Sequence, residues 1–284
     1  FVLLPNTNYF PDCATMGGRA SKEDTYEAHI LPHDARLTAL WPDRLWILKG
    51  SLPFPLPRNM LVYRARSGGL VVWSAIAVAE AVLEEIARLG PIEVLVIPSL
   101  HHCMDAVVFR AKAAPNARLV CPASIRAALE TKKGIACDGT IEELVERGTF
   151  AAALTADGMP EGGELAIVLD LFADDDTAPT RRCAVAFCDL LFNILDEPDG
   201  WFAKFVGTRV FGSIGPLHVT SFGKRFFVTD KHALARWIST VLPEHLASTL
   251  GFSTLGVITV AHGDAIVGDD CRRHLDLAAQ RLLA

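Results

Sequence analysis

The apolar positions change period several times along the chain. Residues 45–48 (Leu-Trp-Ile-Leu), 60–66 and 70–73 (Leu-Val-Val-Trp) are short apolar runs, and Ser67, Gly68 and Gly69 form a turn between the last two. Strand-like runs joined by a glycine turn predict a hairpin. Next, Ile76, Ala79, Val82, Leu83 and Ile86 repeat at helical spacing, with Glu80, Glu84, Glu85 and Arg88 on the opposite face. Ser74 is the expected cap of that helix and Gly90 its stop. Residues 92–97 are apolar apart from Glu93, as suits a strand covered on both faces. Further strands are expected at 118–121, 164–169, 182–187 and 257–260, and helices near 106–113, 124–131, 230–241 and 269–283. Hairpins first, then alternating strands and helices that recur in the second half, predict an α/β fold of two face-to-face sheets with helices outside. Residues 1–40, broken by Pro5, Pro11, Gly17, Gly18 and Pro32, are expected as an irregular lead-in to a single domain over 41–284. The run Pro53-Phe54-Pro55-Leu56-Pro57 reads as a loop, and Asp174-Asp175-Asp176 as a solvated acidic turn.

Composition narrows the function classes. A hydrophobic share of 51% with 21% charged residues is that of a globular protein. The net charge of -6, with no basic run longer than a pair such as Lys224-Arg225, argues against a nucleic-acid surface. The seven cysteines are scattered and odd in number, without a CxxC pair, so reduced thiols in the cytoplasm are expected. No stretch of about 20 apolar residues is free of charge, so no membrane partner is expected either. The chain starts at Phe1 and leaves a preceding targeting segment open.

Three strand ends deliver polar groups. Pro98-Ser99-Leu100-His101-His102-Cys103-Met104-Asp105 follows the apolar strand ending at Ile97, Cys188-Asp189 follows the strand ending at Phe187, and His262-Gly263-Asp264 follows residues 258–261. Loops at the carboxyl ends of buried strands are where α/β sheets build sites, and imidazole, thiolate and carboxylate are natural ligands of zinc or iron. Cys188 reads as a small buried hydrophobe, and Cys103 as a thiol beside His101.

This order of strand, His-bearing loop, strand, Asp, long insertion, strand and His-Gly resembles the metallo-β-lactamase superfamily over about residues 45–284. Asn59-Met60 with the following Gly-Gly hairpin is similar to the family's opening, and Ser74 stands where the family has Asp. The family's HxHxDH loop aligns without gaps on Ser99-Leu100-His101-His102-Cys103-Met104. Asp189-Leu190-Leu191 resembles its fourth motif and His262-Gly263-Asp264 its last. The resemblance implies a four-layer αβ/βα sandwich, but Ser99 and Met104 replace His and Cys103 replaces Asp. A shift of one residue would instead bring His102 and Asp105 toward ligand positions, and the register stays open. For the third motif Asp170 is the one polar candidate.

What the resemblance implies is a metal-dependent hydrolase with a reduced, mononuclear site. One zinc or iron ion would be held by His101, Asp189 and His262 with Cys103 as fourth ligand, and Asp189 would also accept a proton from the attacking water. The alternative is a catalytically inactive protein of this fold acting as a binding or scaffold module, with no ion at all. The expected partner is a small molecule, with homodimerisation as a further option. The insertion from about 192 to 256 is rich in Trp and Phe. Those aromatics are expected to complete the core, with pocket lining or a dimer contact as the competing readings. His218 is the histidine of that insertion placed to fold over the pocket.

Overall fold

A computed structural model describes residues 25–53, 56–160, 162–172 and 180–284, apart from the Phe202 side chain. Most of the expected lead-in, Cys13, the middle of the proline-rich loop and the acidic triplet at 174–176 lie outside the described residues. Strands β1 (Thr38–Trp41), β2 (Leu45–Ser51), β3 (Pro57–Arg64) and β4 (Leu70–Trp73) form an antiparallel meander. Helix α1 (Glu80–Leu89) then crosses over to β5 (Ile92–Val96), α2 (Ala106–Ala113) to β6 (Arg118–Cys121), and α3 (Ala123–Lys133) to β7 (Gly139–Thr140). These strands lie parallel to β4 and complete a seven-stranded sheet in sequence order.

After α4 (Ile141–Glu146), a second sheet of five strands is ordered β14-β13-β10-β9-β8. It comprises β8 (Ala152–Thr155), β9 (Leu165–Asp170), β10 (Arg182–Ala186), β13 (Thr254–Thr259) and β14 (Ile266–Val267). Within it β13 runs parallel to β10 and β9 runs antiparallel to it. The insertion between β10 and β13 holds a two-stranded ribbon of β11 (Phe192–Ile194) and β12 (Gly215–His218). It also holds α5 (Trp201–Phe205), α6 (Ser221–Phe226), α7 (Lys231–Arg236) and α8 (Leu242–Glu244). Helix α5 runs on as a π-helical stretch, Val206–Phe211; α7 and α8 belong to one helical run with the π-helical stretches Trp237–Val241 and His245–Thr249. Helix α9 (Cys271–Leu283) ends the chain.

Alternation along the strands builds three apolar layers. In β2, Leu45 and Ile47 face the second sheet while Trp46 and Leu48 face the helices. Leu61, Tyr63, Val71, Trp73, Val94 and Val96 join the first set and meet Ile167, Leu169, Ala184, Ala186 and Val257 from the opposite sheet. The outer face of the first sheet is sealed by Val82, Leu83 and Ile86 of α1, Phe109 of α2 and Leu129 of α3. The outer face of the second sheet, with Val168, Val185 and Ile258, is sealed by Leu234, Trp237, Ile238, Leu275, Ala278 and Leu282. Period-2 burial on two sheets and period-3.6 burial on the helices thus give helix, sheet, sheet, helix, the expected four-layer sandwich.

Two local expectations change. Residues 38–41 are the edge strand β1 rather than irregular chain, paired to β2 through Thr38↔Ile47 and Ala39↔Trp46. The first helix starts at Glu80 and not at Ser74, because 74–79 is irregular chain in which Ser74 takes a left-handed φ of 54° and Ala79 is extended. That backbone state is rare for a residue other than glycine.

The strand directions fix one functional pole. The carboxyl ends of β4, β5, β10 and β13 lie at it, together with the start of β3 and the start of β9. Asn59 stitches the two sheets there: its backbone N–H donates to Ala261 O (2.8 Å), and its side-chain amide donates to Val260 O (2.8 Å) and Gly263 O (2.6 Å).

Phe109 is fully buried, whereas Val107 two residues earlier, on the other side of the helix, is 50% exposed. Phe109→Ala is expected to lower unfolding free energy by about 3–5 kcal/mol in urea denaturation, and Val107→Ala by less than about 0.5 kcal/mol. Equal effects would mean that α2 does not seat on the sheet by this face.

Candidate metal centre

At the functional pole three side chains converge. Asp189, which leaves the end of β10, has its Oδ1 at 3.1 Å from His102 Nε2 and 3.2 Å from His262 Nε2. Both imidazoles are almost enclosed (side chains 7% and 5% exposed), while the Asp189 side chain keeps 33% of its surface open. The other ring nitrogens are anchored, His102 Nδ1 against Ser74 Oγ at 2.9 Å and His262 Nδ1 against Pro57 O at 2.6 Å. Phe192 stacks on the His262 ring with centroids 4.5 Å apart. Ser99 donates its hydroxyl to Asp189 Oδ2 at 3.3 Å.

Each of these positions has a local cause. The left-handed backbone at Ser74 turns its hydroxyl toward His102 and away from any helix-capping role. The β5–α2 loop closes as a tight turn, with His102 N donating to Ser99 O. His262 is placed by β13 and held by the backbone bond from Asn193 N to its carbonyl (3.1 Å). Gly263, at φ 103°, lets the insertion approach: a Cβ there would lie 2.1 Å from Asn193 O, so no other residue fits.

Beneath Asp189 lies Glu164, at the entry to β9. Its carboxylate accepts the backbone N–H groups of Cys188 and Asp189, clamping the loop that carries the aspartate. Burial pushes the Glu164 carboxyl well up, and the neighbouring Asp189 charge adds to this; the backbone N–H groups oppose it without cancelling it. Burial also works to raise Asp189, but the two imidazoles outweigh it and hold that carboxyl well below the usual range.

The structure joins Asp189 and His262 as the sequence pattern suggested, and the third member of the group is His102. His101 lies outside it, on the exposed side of the turn, with its backbone N–H on Ser99 Oγ. Cys103 is also outside: it is buried against the α2 side of the core with its thiol donating to Leu100 O. Asp105 is a structural ion, 2% exposed, bonded to Arg58 at 2.5 Å and to the Ala77 N–H at 3.0 Å. Asp170 is at the far pole between Arg66 and Arg181, because β9 runs antiparallel to β10 and delivers its start, not its end, to the centre. Cys188 is fully buried with a raised thiol pKa, which burial causes first and the Asp189 charge second. Cys188 and Glu164 also lie within ligating distance of Asp189, but the Glu164 oxygens are taken up by backbone donors. His218 bonds the Gly212 and Pro216 carbonyls instead of facing the centre.

The donor set fits a metal ion. Tetrahedral zinc with ligand bonds of about 2.0–2.1 Å spaces its donor atoms roughly 3.3 Å apart, close to the 3.1 and 3.2 Å found here. Protonation bookkeeping points the same way. The Pro57 carbonyl can only accept, so His262 Nδ1 carries a proton, and a neutral ring then turns the Nε2 lone pair on a carboxylate oxygen. A second proton or a cation between them removes that clash.

Two layers of helix over two sheets, with His and Asp at the strand ends of one pole, make an αβ/βα sandwich that carries a candidate metal centre. No family model matches the sequence, and no curated protein is significantly similar to it. Among solved structures it is similar to the DIM-1 metallo-β-lactamase exposed to ceftazidime, at 9% identity over 89% of this chain and 99% of that one, with a TM-score of 0.52. A second DIM-1 metallo-β-lactamase structure aligns at 9% identity over 87% and 97%, with a TM-score of 0.51. The chain therefore has the metallo-β-lactamase fold.

A Glu164 carboxyl that is protonated when folded and ionised when unfolded makes folding take up a proton. Its contribution is then most favourable below the unfolded value of about 4.3 and is lost as pH rises toward the raised folded value. In chelator-treated protein, the urea midpoint of Glu164→Gln is expected to fall less than that of the parent between about pH 5 and pH 7. Parallel profiles would place the pH dependence on other groups.

Proposed function

We propose that this chain is a metal-dependent hydrolase whose site holds one zinc or iron ion through His102, His262 and Asp189. The observation that carries the reading is the orientation of His262. Its Nδ1–H is committed to the Pro57 carbonyl, so its Nε2 lone pair and the Asp189 Oδ1 are aimed at the same point. Ser74 orients His102 in the same manner, the outer support that ligating histidines commonly have. When bound, the ion supplies a water molecule whose pKa is lowered to about 7 in the case of zinc.

The protein's own groups do the rest. Asp189 Oδ2, the oxygen not shared by the two imidazoles, accepts the proton of the attacking water, and the Ser99 hydroxyl steadies it. Glu164 holds the backbone of Asp189 so that the carboxylate keeps its direction. Phe192 covers one face of His262 and excludes water from that side. The substrate in this reading is a small molecule with a bond open to attack by water. The six described cysteines are all buried, and no disulfide joins any two of them, which suits a reducing, cytoplasmic setting.

A metal-free binding or scaffold role is the second reading. It is favoured by the hydrogen bonds that Asp189, His102, His262 and Ser99 already make among themselves.

Metal content of untagged protein purified without chelator separates the two. About one equivalent of zinc or iron per chain is expected, with a drop of roughly tenfold or more in His262→Ala and in His102→Ala, and none in His101→Ala. Protein that stays metal-free after incubation with zinc, iron and manganese in turn overturns the enzyme reading. Loss of metal in His101→Ala with retention in His102→Ala overturns the ligand assignment.

A further inference from the structure

The insertion carries a surface that the metal centre does not use. Trp201 is 81% exposed, Phe226 55%, Phe205 51%, Val210 50% and Phe227 46%. Aromatic contacts tie the two helical pieces together: Phe211 meets Phe222 edge-on at 5.7 Å, and Phe222 meets Phe226 at 4.7 Å and Phe227 at 5.7 Å. Apolar clustering of this kind on an outer surface marks a place of interaction. The core-completing role expected for the aromatics of this stretch does not hold for Trp201, Phe205, Phe226 and Phe227, which are exposed.

Charge identifies the partner. In a chain with 33 acidic residues and a net charge of -6, residues 200–229 contain no Asp or Glu and four Lys or Arg. Lys224 turns inward to the Arg281 carbonyl, which leaves Lys204, Arg209 and Arg225 on the outside among the aromatics. Lys204 also meets Glu197, just before this stretch. Trp and Phe interleaved with Lys and Arg on short helices lying along the surface is the composition of an interfacial anchor. A two-fold dimer through this patch would set a stretch without Asp or Glu against its own copy, positive charge toward positive charge.

We propose that the α5–α6 face docks on an anionic lipid bilayer, with Trp201, Phe205, Phe226 and Phe227 entering the headgroup region and Arg209 and Arg225 meeting lipid phosphates. This is surface attachment and not spanning, since among the described residues no helix is long and apolar enough to cross a membrane. It departs from the expectation of no membrane partner, which rested on spanning segments alone. The face is rooted beside the candidate centre, because β11 gives both Phe192, stacked on His262, and Asn193, bonded to the His262 carbonyl.

Co-sedimentation of the full chain with vesicles tests this in chelator-containing buffer, where the result does not depend on any metal. Vesicles of equal parts phosphatidylcholine and phosphatidylglycerol are expected to bind the protein at least about tenfold better than phosphatidylcholine alone, and to release it as salt rises. The triple variant Trp201→Ala, Phe226→Ala, Phe227→Ala should bind the anionic vesicles about tenfold less or weaker still while keeping the parent's circular dichroism spectrum, although loss of the Phe226 and Phe227 contacts to Phe222 lowers its melting temperature. Arg209→Glu with Arg225→Glu should abolish the preference for anionic vesicles. Failure of the folded parent protein to bind them overturns the proposal. So does sedimentation equilibrium showing a dimer that the triple variant converts to monomer, which would assign the face to a second copy.

Discussion

The geometry of the centre depends on the stitch that Asn59 makes between the two sheets. A sandwich of two sheets is held mainly by non-directional apolar burial, which fixes their separation better than their sliding position. The three hydrogen bonds from Asn59 to the β13 end are directional and short, and they pin the start of β3 against the loop of His262. Pro57, two residues earlier, is thereby set where its carbonyl can hold the His262 ring. Ligands from different sheets can share one point in space only if the sheets cannot slide, and Asn59 supplies that restraint from a position 1% exposed.

Asp189 shows how the same pole resolves opposing electrostatic demands. A carboxylate tucked against a second carboxylate is costly. Here the cost is divided: Glu164 takes up the proton tendency through its burial, while Asp189 stays ionised between two imidazoles. Glu164 still accepts the backbone donors of the Asp189 loop. One acid is thus used for shape and the other for charge.

Much of the fold was legible because it is written in local period. The alternation in β2, β3 and β4 and the apolar strand β5 appear where the pattern put them, and the helical repeat of α1 holds from Glu80 onward. Short edge elements such as β1, β8 and the β11–β12 ribbon were not legible, since two to four residues carry too little periodicity. In the site, Asp189 and His262 followed from their places after apolar strands. The choice of His102 over His101 did not, because a one-residue turn decides which of two adjacent histidines faces inward. Asp170 misled and Glu164 was overlooked for one reason: strand direction is a tertiary fact, and reversing β9 exchanges which of its ends meets the centre. Ser74 had the signal of a helix cap, and only its left-handed backbone diverts it to His102.

The close approach at Gly263 has a consequence for how such a protein diversifies. With Asn193 O lying where a Cβ would sit, the root of the insertion and the last strand end form one rigid joint. An amino-acid change at that joint would be transmitted to the imidazole through the Asn193–His262 backbone bond. The excursion between Ile194 and Gly215 hangs from it like a tool from a fixed handle, whereas the later part of the insertion is tied into the core by Leu234, Trp237 and Ile238. Variation in this lineage should therefore concentrate at the tip while the root stays constant, which lets what the protein touches drift without disturbing the centre.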